Sequence, residues 1–174
     1  MYKMNLSITE VSEQELPLLQ QISQSTFLKA FGDANTKEDM AFYLDSKMSL
    51  EQLATEWQIS ESTFYFARLD QEIVGYLKLN TGAAQNEQLA EPSLEIERIY
   101  VIAKFQGKGL GQQLLDFAIQ ETREKNLKLV WLGVWEHNHG AQRFYERNGF
   151  VAFSQHVFMM REDEQIDILM KREV

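Results

Sequence analysis

The chain has 174 residues, 44% hydrophobic and 25% charged, so its length and composition predict one globular domain over residues 1–174. Its 17 basic and 26 acidic residues give a net charge of −9, which argues against a nucleic-acid surface and suits the attraction of small cations. The absence of cysteine excludes disulfides, thiol nucleophiles and cysteine zinc sites. No apolar run approaches membrane-spanning length and no signal-peptide pattern is present, so we expect a cytoplasmic protein without membrane association.

The first third of the chain is predicted to be one strand followed by helices. Residues Met4–Glu10 alternate between apolar and polar, as in a strand. Ser12–Glu15 is a capping box, so a helix begins there and ends near Gly32. Similar helix starts follow at Thr36 and Ser49. We interpret most of the aromatic residues of this region as core, although the region is also suited to forming a wall of a substrate pocket.

The remainder is predicted to alternate strands with two helices. The helices run from a glycine-rich turn to about Asn126 and from Asn138 through Arg147. This order predicts an α/β (α+β) fold with a mixed sheet of about seven strands and four to five flanking helices. The predicted strands are Thr63–Leu69, Ile73–Asn80, Leu94–Ile102, Lys128–Trp135, Phe150–Met160 and Gln165–Lys171.

The glycine-rich turn is the most informative stretch of the sequence. It reads Gln106-Gly107-Lys108-Gly109-Leu110-Gly111-Gln112 and lies between a predicted strand and a predicted helix. Glycines let a ligand approach the main chain, and the free N–H groups of a first helical turn attract anions, so the turn suits a pyrophosphate. The P-loop pattern and the Rossmann glycine spacing are both absent. A tight turn with a structural role alone remains the alternative.

A second motif lies downstream, at Asn138-x-x-Ala141-x-x-Phe144-Tyr145-x-x-x-Gly149-Phe150. Together with Gln106-x-x-Gly109-x-Gly111, it resembles motifs B and A of the GCN5-related N-acetyltransferases (GNAT). The resemblance extends over the whole chain and implies the GNAT fold. Three segments look closer to the PaiA-type spermine/spermidine acetyltransferases: Leu94–Tyr100, Trp131–Glu136 and His156–Gln165.

The resemblance implies direct transfer of an acetyl group from acetyl-CoA to an amine, without an acyl-enzyme and without a metal. Main-chain groups of Ile99–Val101 would contact the pantetheine arm, and one N–H would stabilise the oxyanion. Asn138 would bind the same arm, cap its helix, or do both, and Tyr145 would be the general acid. The implied cofactor-binding residues are Ile99, Tyr100, Val101, Gln106, Gly107, Lys108, Gly109, Leu110, Gly111, Gln112 and Asn138.

The general base is less well defined by the sequence. In some relatives it is a glutamate at the position of Gly133, so that route is missing here. We predict Glu97 as the second catalytic residue, with Glu95 or a water molecule as alternatives. Strand alternation predicts that Glu95 and Glu97 share a face with Ile99 and Val101.

The predicted acceptor is a polyamine such as spermidine or spermine, held by acidic groups. Acetylation of protein lysines or N-termini is the enzymatic alternative, and a non-catalytic CoA-binding regulatory protein is the third. His137 and His139 are two residues apart, but no third ligand is evident, so no metal site is predicted. Aromatic residues and the closing hairpin favour a homodimer. The acceptor, the oligomeric state and any regulatory role stay open at this stage.

Overall fold

A seven-stranded sheet lies at the centre of the computed structural model, which describes residues 5–174. Five α-helices are formed by these described residues, in agreement with the predicted architecture. The predicted strand start at Met4 lies outside the described range. The elements are β1 Leu6–Glu10, α1 Leu16–Phe31, α2 Lys37–Lys47, α3 Leu50–Trp57, β2 Ser62–Leu69, β3 Glu72–Thr81, β4 Ser93–Val101, α4 Leu110–Glu124, β5 Leu129–Trp135, α5 His139–Arg147, β6 Val151–Met160 and β7 Asp163–Glu173.

Four helix starts are fixed by the side chains that the sequence predicts. In the capping box before α1, the Ser12 N–H donates to Glu15 Oε2 at 2.9 Å. The other three caps each accept a hydrogen bond of 3.1 Å from a main-chain N–H of the first turn, and they are Thr36, Ser49 and Asn138.

The strand order is β1-β2-β3-β4-β5-β7-β6, so the hairpin partner β7 lies between β5 and β6. Strands β4 and β5 run parallel, because α4 crosses over between them, and the other neighbours run antiparallel. Helix α4 covers one face of the sheet with buried leucines such as Leu114 and Leu115. On the other face, α1 and α3 bury Leu19 and Leu53 against β2 and β3.

A β-bulge at Glu97 changes the phase of β4. Ile96 pairs with Leu79 and Arg98 pairs with Lys78, so Glu97 is one extra residue. Ile99 packs with the α4 cluster, as Ile96 does, whereas Glu97 contacts Lys78 and Asn80. The prediction that Glu97 shares a face with Ile99 and Val101 is therefore wrong. The same correction applies to Glu95, which also contacts Asn80 on the opposite face.

The two parallel strands separate after four paired residues. Ser93–Ile96 pairs with Leu129–Leu132, and beyond these pairs β4 and β5 have no register with each other. The separation leaves a gap at the carboxyl ends of the strands, next to the turn that leads into α4. Across residues 5–174, no helix combines the length and the apolar character needed to cross a bilayer.

Candidate active site

The glycine-rich turn places main-chain N–H groups at the start of α4. Gly107 and Gly109 have φ angles of 75° and 76°, in the left-handed region that favours glycine. Among the described residues, the N–H groups of Gly109, Leu110, Gly111 and Gln112 donate to no acceptor. A Cβ built on Gly107, Gly109 or Gly111 would have no other protein atom within 4 Å. The turn is therefore an open surface of unpaired donors at the positive end of a helix.

Side chains at both ends of the turn hold it in place. Gln106 donates from Nε2 to the Val101 carbonyl at 3.0 Å, which ties the turn to the end of β4. Gln112 donates from Nε2 to Asn148 Oδ1 at 2.7 Å, which ties the start of α4 to the end of α5. The Lys108 ammonium lies 5.4 Å from the centre of the Phe105 ring, so a positive charge stands beside the turn. These predicted residues are thus brought together around one corner.

A cleft of about 570 Å³ lies in the gap between β4 and β5 and reaches Gln106 at the start of the glycine-rich turn, whereas Gly107–Gln112 do not line it. The Ile102 N–H donates to the Val74 carbonyl of β3 at 2.8 Å. Because alternate residues of an antiparallel strand point to opposite sides, the main-chain groups of Ile99 and Val101 point toward β5. The cleft is lined by the predicted residues Ile99, Tyr100, Val101, Gln106, Asn138 and Tyr145, among others.

Asn138 has one polar atom engaged and one free. Its Oδ1 accepts the Ala141 N–H at 3.1 Å, which is the helix cap. Its side-chain NH₂ donates to no other described residue, and the side chain lines the cleft. The two roles predicted from the sequence are therefore geometrically compatible.

Tyr145 lines the cleft and is 8% exposed. Its ring packs between Phe144 and Phe150, with ring centres 5.3 and 5.7 Å away. Within the described chain, its hydroxyl has no hydrogen-bond partner, although it is not among the fully enclosed unpaired atoms. Burial raises the pKa of Tyr145 above its ordinary value, so the phenol stays protonated at neutral pH.

A second cavity of about 250 Å³ opens on the other side of the gap. Phe31, Glu97, Tyr100, Gly133 and Trp135 line both the cavity and the cleft, so the two spaces meet there. Aromatic side chains from α1, α2, β4, β5 and β6 form much of the wall, and they include Phe27, Phe31, Tyr43, Tyr100, Trp131, Trp135 and Phe158. The early helices therefore do contribute to a pocket wall.

Two glutamates of β4 line this second cavity in different electrostatic states. Glu95 accepts three hydrogen bonds, from the Asn86 N–H and side-chain amide at 2.9 and 2.8 Å and from Asn80 at 3.1 Å. Burial nevertheless raises the pKa of Glu95. Burial would also raise the pKa of Glu97, but Lys78 and Arg98, with hydrogen bonds from Lys78 and Asn80, outweigh it and lower that pKa.

Buried cations lie beneath these glutamates. Lys78 forms ion pairs with Glu97 and with Glu56 of α3, the latter at 2.9 Å. Arg98 lies 3.6 Å from Glu56 and is itself buried. The negative charge of Glu97 is therefore compensated locally, which makes Glu97 a weak proton acceptor.

Two further acidic residues of the cavity belong to neither of the two sequence motifs. Asp167 of β7 and Glu87 of the loop before β4 both line it. Glu87 accepts from His156 Nδ1 at 2.8 Å. Burial raises the pKa of Asp167, and His156 opposes that shift. The one sequence signal for Asp167 is a charged residue within an otherwise apolar run, Ile166–Met170.

No group of three or more histidine or acidic side chains in residues 5–174 is arranged to hold a metal ion. His137 lies next to Glu136, at 3.5 Å, and stacks edge-on with Trp135.

Comparisons with known proteins establish the family. The sequence pattern of the acetyltransferase (GNAT) family matches residues 21–150. An uncharacterized N-acetyltransferase from Lactobacillus delbrueckii subsp. lactis is 45% identical over 167 residues, which are 96% of each chain. This chain therefore belongs to the GNAT family, and it is an acetyl-CoA-dependent N-acetyltransferase.

More distant comparisons agree on the fold. The spermine/spermidine N(1)-acetyltransferase of Bacillus subtilis (strain 168) is 26% identical over 120 residues, covering 68% of this chain and 77% of that one. The PaiA N-acetyltransferase from Thermoplasma acidophilum in complex with coenzyme A gives a TM-score of 0.78 at 22% identity, over 98% of this chain and 100% of that one. A GNAT acetyltransferase from Elizabethkingia anophelis with acetyl-CoA bound gives 0.64 at 22% identity, over 99% and 100%. The predicted GNAT fold is confirmed.

Proposed function

We propose that this N-acetyltransferase acts on a small primary amine, and that the amine is a polyamine such as spermidine or spermine. The observation that carries the proposal is the second cavity, which combines aromatic walls with four carboxylates, Glu87, Glu95, Glu97 and Asp167. Aromatic faces and carboxylates both attract ammonium groups. The cavity meets the cleft at Gly133 and Trp135, so an amine in the cavity has access to a thioester held in the cleft.

The cleft provides the coenzyme site in this proposal. Acetyl-CoA fits it by its chemistry, because unpaired N–H groups suit a diphosphate and strand-edge groups suit the amides of pantetheine. Gly107–Gln112 would hold the diphosphate, with Lys108 adding a positive charge. Ile99–Val101 and the Asn138 amide would hold the pantetheine arm, and a main-chain N–H of that strand would stabilise the oxyanion.

Tyr145 is the general acid in this proposal. A phenol of ordinary pKa ~10 transfers its proton to a thiolate of pKa ~8.5 at a cost of roughly 2 kcal/mol, and burial increases that cost. The contribution of Tyr145 is therefore a hydrogen bond that strengthens as the sulfur becomes charged. In the alternative interpretation, Tyr145 only packs beside Phe144, and its hydroxyl makes no contribution to turnover.

Glu97 contributes charge at the point where the two cavities meet. Its lowered pKa keeps it ionised and makes it a poor proton acceptor, and although Lys78 balances its charge, its oxygens can still accept a hydrogen bond from an ammonium group. Glu87 and Glu95 would hold a distal ammonium of a polyamine. The spermine/spermidine N(1)-acetyltransferase relative supports this choice of acceptor.

The test is a panel of acceptors incubated with acetyl-CoA, with release of free thiol as the signal. The panel contains spermidine, spermine, a monoamine of similar length, a lysine-containing peptide and a peptide with a free N-terminus. We expect kcat/KM for the polyamines to exceed that for the monoamine by about tenfold or more, as one additional charge-assisted contact provides. Faster acetylation of either peptide would favour the protein-acetylating alternative, and turnover of no member of the panel would show that the acceptor belongs to another chemical class.

A further inference from the structure

Asp167 differs from the other carboxylates of the acceptor cavity in having no partner. Within the described chain, its side chain makes no hydrogen bond and no ion pair, although it lines the cavity. The two oxygens of Glu95 accept three hydrogen bonds from Asn80 and Asn86, and Glu97 is paired with Lys78. Asp167 is therefore the carboxylate whose lone pairs are free to accept a proton.

The position of Asp167 is set by the strand order. Because β7 lies next to β5, Asp167 pairs with Trp135 and is adjacent to Gly133. A Cβ built on Gly133 would lie 3.6 Å from Asp167 Oδ2, so the carboxylate reaches the space above the glycine. Gly133 and Trp135 line both cavities. Asp167 thus stands where an acceptor nitrogen would approach the thioester.

We propose that Asp167 is a catalytic residue that takes the proton from the acceptor ammonium. The proposal rests on the proposed acetylation of a small amine. The ammonium gives one proton to the Asp167 carboxylate, and the freed nitrogen lone pair forms the C–N bond to the thioester carbonyl carbon. The C–S bond breaks, and the sulfur receives its proton from Tyr145, which regains one from the new amide nitrogen. Asp167 then releases its proton to solvent, so ammonium and thioester become amide, thiol and one proton.

The surroundings of Asp167 favour this role. Partial burial raises its pKa, which brings a carboxylate closer to the neutral range where a general base works best. The charged or titratable groups that line the cavity with it are His156 of β6, Glu87, the two glutamates of β4, Arg98, Tyr43 and Tyr100. His156 is already paired with Glu87, so it leaves the Asp167 oxygens unengaged.

The first test compares Asp167→Asn with Asp45→Asn, an equal charge change at an exposed position of α2. For the best acceptor of the panel, we expect Asp167→Asn to lower kcat/KM at neutral pH by about 100-fold or more, the usual contribution of a general base. The loss should shrink about tenfold per pH unit up to about pH 9, as the free amine becomes more abundant. Binding of acetyl-CoA, measured by calorimetry, should match the control. A variant rate within about threefold of the control, with the same pH profile, would overturn the proposal.

A second measurement needs no variant and no turnover. Carbon-13 NMR of the wild-type protein reports the titration of the Asp167 carboxyl directly, assigned by its absence in Asp167→Asn. We expect a midpoint above ~3.9, the ordinary aspartate value, and a shift of that resonance when spermidine is added to the protein with CoA. An ordinary midpoint with no response to spermidine would also overturn the proposal. If the wild-type protein acetylates amines and Asp167→Asn does so equally well, only the proposed role of Asp167 is overturned. If the wild-type protein acetylates no amine, the proposed function is overturned together with that role.

Discussion

Ile96 of β4 and Leu132 of β5 are the last residues that the two parallel strands pair before they separate. The β-bulge follows immediately, at Glu97, and it adds to the twist of β4 at the point of separation. Two features therefore lie at one strand irregularity: a gap toward which main-chain groups of Ile99 and Val101 point, and a glutamate turned toward the acceptor cavity.

The first prediction concerns the glycine-rich turn. Gly109→Ala and Gly149→Ala place a side chain at nearly equal φ angles, 76° and 81°. Each should destabilise the protein by about 1–2 kcal/mol, the cost of a left-handed non-glycine residue. Only Gly109→Ala should also weaken acetyl-CoA binding, by about tenfold or more, because its methyl group stands above the free N–H groups. Calorimetric titration of both variants with acetyl-CoA checks this, and equal affinities would remove the turn from the coenzyme site.

The second prediction separates the two roles of Asn138. Serine is as good an N-cap as asparagine but lacks the amide donor, so Asn138→Ser should keep the melting temperature and weaken acetyl-CoA binding. Asn138→Ala should lower both the melting temperature and the affinity for acetyl-CoA, with a stability cost of about 1 kcal/mol. Thermal unfolding and calorimetric titration measure the two effects. Wild-type coenzyme affinity in Asn138→Ser would show that Asn138 is a cap alone.

The third prediction concerns Tyr145. Tyr145→Phe should lower kcat by about tenfold or more and leave the affinity for CoA nearly unchanged, because the hydroxyl acts on the departing sulfur. Tyr65→Phe is the matched control, since Tyr65 is buried against Phe117 away from both cavities. Because burial raises the pKa of Tyr145, ionisation of this phenol should cause no loss of kcat between neutral pH and about pH 9. Unchanged turnover in Tyr145→Phe would exclude the residue from catalysis.

The fourth prediction concerns the buried charges beneath the cavity. The pKa of Glu97 is lowered, so its ionised form stabilises the fold fully above the unfolded pKa of ~4.3, and this stability is lost as the pH falls through the folded pKa. Glu97→Gln should therefore cost about 1.5–3 kcal/mol at neutral pH and progressively less in acid. Urea unfolding across this pH range, with the exposed Glu146→Gln as control, measures the difference. A cost that is constant with pH would show that the ion pair with Lys78 does not stabilise the fold.

Features set by local sequence could be predicted. The caps at Ser12, Thr36, Ser49 and Asn138 depend on one or two neighbouring residues, and the glycine-rich turn depends on positive φ angles that few other residues adopt. The sequence order of strands and helices likewise predicts a mixed sheet. These features required no knowledge of distant contacts.

The sequence carries a signal for the bulge at Glu97, but strand alternation alone does not reveal it. The apolar residues of β4 move from even positions, Leu94 and Ile96, to odd ones, Ile99 and Val101. Such a change of phase within one strand indicates an inserted residue, and simple alternation overlooks it. The error placed Glu95 and Glu97 on the wrong face.

Asp167 could not be found because its position depends on strand order. Either strand of the β6–β7 hairpin could pair with β5, and the sequence does not determine which of them does. Only the pairing of Trp135 with Asp167 places this carboxylate beside Gly133. The same limit applies to Glu87, which a loop brings to His156 across the cavity.

The central claim is that main-chain N–H groups at the start of α4 bind the diphosphate of acetyl-CoA while the gap between β4 and β5 holds its acyl-bearing arm. A crystal structure of the protein with acetyl-CoA tests it most directly. We expect diphosphate oxygens within hydrogen-bond distance, about 3 Å, of the Gly109–Gln112 nitrogens, and the thioester beside Tyr145. A diphosphate bound elsewhere, with the glycine-rich turn making no contact to the coenzyme, would contradict it.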